Sequence, residues 1–487
     1  MKKFGKVKIA AYFVMAILMT GCTKSFLDIK PPTVVMQDFF TSEANARLAI
    51  NGCYDVMGWD GNDNMIPFFF GDIIGRDGWK GGDVGSDQDW MDNLINFTYT
   101  PDNYMLNRDW KDMYIGINRC NTAIENIGKM KSSMISDKAK AELIGEARFI
   151  RGYFYFQLVK TFGKVPLVDH VLSPSEYQQP LADESKIWKF IEEDFKAAAA
   201  VLPERSQQAP ADVGRATKGA ALAFLAKAYI FQKKWADAKK ITDEIIQSHE
   251  YHLLPNYADV FKMKNQNNAE IVFSIQHKET GNGDYGNDNE GSLIPCFEET
   301  RNHPFAQVGG YGFDCPTQEL VDQYEPGDPR EKATIIHDGD TLWKGTPDES
   351  VFHTDFPTNI DHYSSKKYCL PASEQPADMS DAGKNWIVIR YAEVLLWNSE
   401  AAFHLGGDWQ TPLQEVRDRV GLGPSPYTGL KAIYHERRVE LAMEGHRFWN
   451  VVREGRGEEV YGKYGYKEGV NNHFPIPQAQ QDLSSLW

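Results

Sequence analysis

Residues 217–248 read TKGAALAFLAKAYIFQKKWADAKKITDEIIQS, and this stretch decides the fold class. Its first half places apolar residues at helical spacing behind Thr217, a residue type that commonly caps helices. A short turn at Lys233–Lys234 follows, and Trp235 opens a second amphipathic helix. Two helices joined by so short a turn must pack side by side. The sequence therefore predicts a mainly α-helical chain built from helical hairpins.

The spacing of these two helices is that of a tetratricopeptide hairpin, in which small residues let neighbouring helices approach closely. A weaker second copy runs from about Tyr391 to Val420, with Trp409 in its turn and Glu400 where a small residue is expected. Two copies are fewer than a stable stack needs, so we expect further hairpins of divergent sequence. Periodicity predicts the remaining helices, which begin near Ser42 or span about 108–128, 142–159, 185–202 and 430–452.

Residues 264–385 differ from the helical remainder, because they are rich in Gly, Asn, Asp and Pro and hold only short strand-like pieces such as Ile271–Gln276 and Thr334–His337. Residues 58–104 lose the helical period in the same way. Long irregular segments in compact proteins are usually functional or disordered, and the aromatic residues in them favour order. We divide the chain into a leader (1–21), an N-terminal part (22–263) and a C-terminal part (264–487). The C-terminal part has an irregular section (264–385) and a helical section (386–456).

The N-terminus has the pattern of an export signal that ends in a lipid-attachment site. Four lysines within residues 2–8 precede the apolar run Ile9–Met19, which is too short to span a bilayer. The small residues Thr20 and Gly21 then precede Cys22, as at a lipoprotein cleavage site. An ordinary secretory signal with a chance cysteine is the alternative. We predict an exported protein that is tethered to a membrane through acylated Cys22.

Composition limits the partners of the chain. The 487 residues carry a net charge of −16, which disfavours nucleic acid and anionic lipid and suits neutral or cationic ligands. The five cysteines after Cys22 are scattered and odd in number, so they do not form a disulfide framework. Cys53 and Cys120 are predicted to be buried thiols, and pairing of Cys296 with Cys315 stays open.

Glutamates recur on one face of the last predicted helix, at Glu436, Glu440 and Glu444. Like charges four residues apart repel, so this stripe needs cationic partners, for which the nearby candidates are Arg437, Arg447 and Arg453. The stripe is either a set of catalytic carboxylates or a structural ion-pair network, and we interpret it as structural.

Motifs of known enzyme classes are missing from the sequence. It contains no His-Glu-x-x-His zinc motif, no Gly-x-Ser-x-Gly elbow and no phosphate-cradling loop, and its 12 histidines show no metal-ligand spacing. A carboxylate pair for glycoside cleavage stays open, because many acidic pairs can be drawn from 68 acidic residues. We predict a protein that is not an enzyme and that needs no cofactor and no metal.

Several segments, in a fixed order and spread over nearly the whole chain after Cys22, resemble the SusD/RagB family of nutrient-binding lipoproteins. The segments are Phe26-Leu27-Asp28 with Pro31, Asp38-Phe39-Phe40, Trp110–Asn121, Glu146–Leu167, Arg215–Tyr229, Arg390–Ala402, Arg417–Leu422, Ile433–Gly455 and Pro475-Ile476-Pro477. The tail after Pro477 is short and departs from the asparagine- and proline-rich ending usual in the family.

The resemblance implies an outer-membrane lipoprotein on the cell surface, with about four tetratricopeptide hairpins packed against a large, irregular ligand-binding half. It also implies a partner, a SusC-like TonB-dependent transporter barrel on which the lipoprotein acts as a lid. The implied ligand is an oligosaccharide. Resemblance at the level of a family predicts fold and partner better than it predicts the ligand.

The resemblance places the ligand surface in the irregular regions 58–104 and 281–313. Aromatic rings stack on the apolar faces of sugars, and polar side chains bind the hydroxyl groups. The candidate ligand-binding residues are Trp79, Trp90, Tyr285, Phe305 and Tyr311, with Asn287, Asp288 and Arg301 as polar partners. Packing of these aromatic rings against the body is the alternative for each one. Asp284, Asp288 and Glu290 offer calcium ligands, although their spacing is not that of an EF-hand loop.

We therefore expect a cell-surface glycan-binding lipoprotein that captures oligosaccharide and delivers it to the transporter. One alternative keeps the uptake role but exchanges sugar for peptide. Two others are a surface hydrolase and a tetratricopeptide scaffold that binds proteins alone.

Overall fold

The computed structural model describes residues 39–59, 69–82, 87–281, 290–299, 310–353 and 361–487. The predicted leader and Cys22 lie outside these ranges, so they stay predictions. Within the ranges the chain is mainly helical with short strands, which confirms the predicted fold class. No helix of the described residues combines the length and the apolar character that crossing a membrane requires.

Helices make up about half of the described chain, and the strands are short. The helices are α1 (Glu43–Met57), α2 (Asp89–Ile95), α3 (Tyr104–Lys129), α4 (Asp137–Phe162), α5 (Glu184–Ala199), α6 (Lys218–Phe231), α7 (Trp235–Ser248), α8 (Ile294–Glu298), α9 (Gln318–Val321), α10 (Pro329–Thr334), α11 (Tyr391–His404), α12 (Gln410–Asp418), α13 (Leu430–Glu440), α14 (Arg447–Arg453), α15 (Gly457–Tyr461) and α16 (Gln478–Leu483). The strands are β1 (Gly78–Gly81), β2 (Ile271–Ile275), β3 (Phe313–Pro316), β4 (Ile335–His337), β5 (Thr341–Leu342), β6 (Ser350–Val351), β7 (Tyr363–Ser365) and β8 (Trp386–Arg390).

Eight of these helices form a continuous stack in which each contacts the next: α1, α3, α4, α5, α6, α7, α11 and α12. Taken in pairs they are the hairpins that the sequence predicted, including the divergent ones. The strands pair two by two and antiparallel, as β1–β3, β2–β8, β4–β7 and β5–β6. Strands β2 and β4 lie where short strands were predicted, and β8 adds a strand at the start of the section predicted to be helical.

Local sequence explains the central hairpin. The Thr217 hydroxyl accepts a hydrogen bond from the Ala220 N–H at 3.0 Å, which caps α6 as predicted. Trp235 stacks on His404 with ring centroids 4.0 Å apart, which joins α7 to α11. In the second hairpin, Glu400 lies where a small residue was expected. It is buried and accepts two hydrogen bonds from the Arg453 guanidinium, at 2.7 and 2.9 Å. A paired carboxylate therefore replaces the small residue there.

The single helix predicted at 430–452 is wrong, because the structure divides it into α13 and α14. Between them Met443 adopts a left-handed backbone with φ 58°, and the Gly445 N–H donates to Oδ2 of Asp72 at 2.7 Å. A Cβ on Gly71 would lie 2.1 Å from the Gly445 backbone, so these two glycines allow a close chain crossing. The Lys367 ammonium donates to the Ala442 carbonyl at 2.6 Å and so binds a carbonyl beyond the end of α13.

The glutamate stripe is a structural network, as interpreted, but its predicted partners are wrong. The cations that bind Glu436, Glu440 and Glu444 come from other segments, namely Arg330, Lys367, Arg390, Arg417 and Arg419. The nearby arginines Arg437 and Arg453 pair instead with Glu393 and Glu400. Side chains that follow one another on α13 point to different neighbours. Partners chosen because they are close in sequence were therefore wrong.

The cysteines after Cys22 are free thiols. Cys53 and Cys120 are buried, as predicted. Cys296 and Cys315, for which pairing was open, are also buried and form no disulfide.

Candidate ligand-binding ribbon

Strands β1 and β3 bring together the two irregular regions that were predicted to bind ligand. Trp79 lies opposite Cys315 in this antiparallel pair, and Gly81 lies opposite Phe313. The Gly81 backbone has φ 74°, and a Cβ there would lie 1.9 Å from the Gly312 carbonyl oxygen. Glycine therefore permits the close approach of the two strands. We call β1, β3 and the adjoining Tyr311 the ribbon.

The indole of Trp79 is half-buried and is oriented by a third segment of the chain. Its Nε1–H donates to Oδ2 of Asp361 at 2.7 Å, and the same oxygen accepts the Gln318 backbone N–H at 2.8 Å. A carboxylate held in this way fixes the plane of the ring. An oriented and partly exposed indole is what stacking on a sugar ring requires.

Tyr311 is half-buried at the start of the ribbon and rests on a layer of buried aromatic rings. Its backbone N–H donates to the Cys296 carbonyl at 2.7 Å. Its ring meets Phe313 edge to face with centroids 6.5 Å apart, and Phe313 stacks on Phe297 at 4.9 Å. The buried pair supports Tyr311 from below.

Trp90 lies in a different environment. It is 9% exposed, belongs to the main hydrophobic core and meets Tyr104 edge to face at 5.5 Å. Packing, the alternative that the sequence offered for each loop aromatic, is what the structure shows for this ring. Little of its surface is available to a ligand, and its contact with one stays a prediction.

The other candidate residues lie outside the described ranges: Tyr285, Asn287, Asp288, Arg301 and Phe305. Their roles stay predictions. The same holds for the calcium alternative, since Asp284 and Asp288 are outside the ranges. Glu290 is described and exposed, and its backbone carbonyl accepts the Lys278 N–H at 2.9 Å.

Several buried carboxyl groups lie around the ribbon, and those of Asp72, Glu298 and Asp314 are each at most 1% exposed. Burial raises the pKa of Glu298 to about 8, and burial raises the pKa of Asp72 and of Asp314 well above the usual range. Burial therefore favours the protonated form of all three groups. Because they are shielded from solvent, none can act as a general acid on a ligand at the described surface.

Sequence profiles of two groups of proteins match the chain. The profile described as "SusD family" matches residues 269–484, and the one described as "Starch-binding associating with outer membrane" matches residues 25–230. The chain belongs to the SusD family. This confirms the resemblance that was drawn from the ordered sequence segments.

Relatives and solved structures from the SusD family match over nearly the whole chain. A SusD-like protein of Bacteroides ovatus is 26% identical over 93% of this chain and 83% of its own length. The SusD-like protein P25 of Formosa agariphila is 27% identical over 98% of this chain and 97% of its own. A structure named as a laminarin-binding SusD-like protein superposes with a TM-score of 0.80, at 28% identity, over 91% of this chain and 98% of that one. A SusD-like carbohydrate-binding protein of Bacteroides fragilis gives a TM-score of 0.76 at 26% identity, over 92% and 99%.

One group of side chains in this SusD-family chain has metal-ligand spacing within the described ranges. Ligand-type atoms of Glu325, His435 and Glu436 lie within 4.8 Å of one another. Arg417 donates to both glutamates, at 2.8 and 2.7 Å, and Arg330 also binds Glu436. Two guanidinium groups already neutralise these carboxylates and would repel a cation, so the group belongs to the ion-pair network.

Sequence reasoning missed Asp361 and the three buried acids. Asp361 is 282 residues from Trp79 and has no local pattern that connects it to an indole. The acids lie in elements of only four or five residues, such as α8 for Glu298 and β3 for Asp314, which are too short for periodicity to mark a buried face. Only the folded chain places these residues beside the ribbon.

Proposed function

We propose that this chain is a cell-surface lipoprotein, anchored through Cys22, that captures oligosaccharide and delivers it to a TonB-dependent outer-membrane transporter. The oriented, half-exposed indole of Trp79, on the same ribbon as Tyr311, is the observation that carries the proposal. The family description of starch binding and outer-membrane association supports it, as does the laminarin-binding relative.

The ribbon supplies the two kinds of contact that a sugar needs. The face of Trp79 packs against axial C–H groups, and Asp361 prevents the indole from turning away. The Asp361 carboxylate also offers acceptor oxygens for the hydroxyl groups of an uncharged sugar. The helical stack, which is rigid and continuous, provides the surface that docks on the barrel so that closure encloses the ligand. Energy for import comes from the transporter.

The decisive measurement is calorimetric titration of the full chain with neutral β-glucan and α-glucan oligosaccharides. We expect binding to at least one of them, and we expect Trp79→Ala to weaken it by about tenfold or more, because loss of a stacked aromatic ring costs on the order of 1 kcal/mol or more. Trp235→Ala is the matched control, since that indole is also half-buried but stacks on His404 in the helical body. It should leave affinity unchanged.

Other outcomes would separate the alternatives. Equal affinity of Trp79→Ala and the wild type would overturn the role of the ribbon. Binding of peptides and of no glycan would favour the peptide-uptake alternative, and shortened oligosaccharides in chromatography after incubation would favour a hydrolase. Copurification of the chain with a barrel transporter encoded beside it would test delivery. A chain that never copurifies with the barrel contradicts that part of the proposal.

A further inference from the structure

A second concave surface lies in the C-terminal part and has an unexpected charge. This cleft has a volume of about 610 Å³ and is bounded by Phe261–Lys264, α10, the β5–β6 hairpin and residues 366–374 with Lys384. Seven lysines line its wall, namely Lys262, Lys264, Lys332, Lys344, Lys366, Lys367 and Lys384. In a chain with a net charge of −16, a cleft lined in this way is a local reversal of sign.

One buried lysine of this cleft carries a charge without a carboxylate partner. Lys384 is 3% exposed, and its ammonium donates to the Phe261 carbonyl oxygen. No carboxylate of the described residues lies within ion-pairing distance of its Nζ, and burial lowers its pKa to about 8. Lys367 nearby shows the contrast, since Glu444 binds it at 2.7 Å. A buried cation without a counter-ion favours an anion that enters from the cleft.

Carboxylates inside the cleft do little to cancel the positive charge. Asp348 accepts hydrogen bonds from the backbone N–H and the hydroxyl of Ser373, at 3.0 and 2.7 Å. Glu374 is exposed and acts on Lys384 only through space. Lys366 donates to the Lys332 carbonyl at 2.7 Å, so its own contact is also with backbone. The wall therefore keeps a surplus of positive charge.

An indole stands among the exposed lysines. Trp343 lines the cleft, is half-buried and has φ 47°, a backbone conformation that is costly for a bulky residue and that persists where the surrounding structure enforces it. Lys264, Lys332 and Lys344 are exposed around it. An aromatic face surrounded by ammonium groups suits a sugar ring that bears a negatively charged group.

We propose that this cleft binds an anionic sugar unit, one that bears a carboxylate or a sulfate ester, within the oligosaccharide that the protein captures. The inference rests on the proposed glycan-binding function and extends it to a second subsite of opposite electrostatic character. The ribbon receives neutral sugar, and the lysine cleft selects chains that carry acid groups.

The test compares matched ligands and matched variants of the full chain by calorimetric titration. Oligogalacturonate is paired with its neutral methyl ester, and a sulfated galactan oligosaccharide with its desulfated form, so the two arms separate carboxylate from sulfate. We expect the anionic member of at least one pair to bind about tenfold or more tightly than the neutral member, because hydrogen bonds to charged groups contribute about 1.5–3 kcal/mol.

The triple variant Lys264→Gln, Lys332→Gln, Lys344→Gln should abolish this preference, and its exposed positions should leave the fold intact. The control Lys131→Gln, Lys186→Gln, Lys240→Gln removes the same charge from exposed positions on the helical body and should keep the preference. Equal binding of anionic and neutral members, or a preference that survives the cleft variant, overturns the inference. If neutral glycans still bind through Trp79 in that case, the proposed function stands. Absence of binding to every glycan overturns both.

Discussion

Two regions of the C-terminal part bury glutamate carboxyl groups in opposite ways. In the ion-pair network, Glu440 is fully buried and accepts a hydrogen bond from Arg330 at 2.9 Å and others from Arg390 and Arg419. Burial opposes its ionisation, but the three arginines outweigh burial and hold the pKa of Glu440 well below its usual range. Beside the ribbon, Glu298 has no cation within ion-pairing distance among the described residues, and burial raises its pKa to about 8.

The difference shows that burial alone does not decide whether a carboxyl group is charged. Cations from separate segments converge on α13 and connect the irregular section to the helical stack, whereas burial favours the uncharged form of Glu298 beside the ribbon. One arrangement stabilises the fold through charge, and in the other the buried carboxyl group has no counter-ion and favours its uncharged form. Removing a cation from the network should therefore lower the free energy of unfolding strongly. Replacing a buried acid beside the ribbon by its neutral amide should change the free energy of unfolding much less.

Breaking the network should give the largest effect. Arg390→Met removes the guanidinium shared by Glu270, Glu440 and Glu444 and leaves buried carboxylates short of a counter-ion. We expect the free energy of unfolding to fall by about 3–5 kcal/mol, measured by urea denaturation at pH 7. Arg47→Met is the matched control, because its pairs with Glu43 and Asp212 are solvent-exposed and should contribute at most about 1 kcal/mol. Equal losses for the two variants would contradict the structural role of the network.

Local patterns predicted most of the helical stack, because caps and apolar periodicity are written within a few residues of each helix. Thr217 and the hairpin after it are examples. The glutamate stripe on α13 was also visible, since repulsion along a helix face demands partners. The sequence did not identify those partners. It also did not predict the division of α13 from α14, which depends on a long-range contact between Gly71 and Gly445. In the ribbon, Trp79 was predicted but Asp361 was not, because strand pairing brings distant segments together without a local signal.

The next largest effect should be on how the free energy of unfolding depends on pH, which differs between the two regions. An unfolded glutamate has a pKa of about 4.3, so between pH 5 and 7.5 the folded chain keeps a proton on Glu298 that the unfolded chain has lost. Each rise in pH then lowers the free energy of unfolding through this group, by up to about 1.4 kcal/mol per pH unit. Glu298→Gln removes that contribution, so its stability relative to the wild type should increase steadily from pH 5 to 7.5 in urea titrations.

The comparison with wild type matters, because other groups also titrate in this range. Burial lowers the pKa of His446 and of His435, and these histidines act in the opposite direction in both proteins. Their contributions cancel in the difference. Glu193→Gln, an exposed substitution on α5, should give a curve parallel to the wild type. A parallel curve for Glu298→Gln would show that this carboxyl group is charged in the folded chain.

The smallest effect is expected for Asp314→Asn. Burial raises the pKa of Asp314 well above the usual range and so favours its neutral form, for which asparagine is a neutral replacement of the same shape. Its backbone has φ 51°, which asparagine tolerates. We expect a change within about 1 kcal/mol in the free energy of unfolding.

The contrasting variant is Asp328→Asn, at a buried aspartate that binds Arg330 at 2.7 Å. This variant keeps a residue type suited to capping α10. It should cost about 3 kcal/mol or more, because the buried Arg330 loses a charged partner. Equal losses of stability for the two aspartate variants would show that Asp314 is charged in the folded chain.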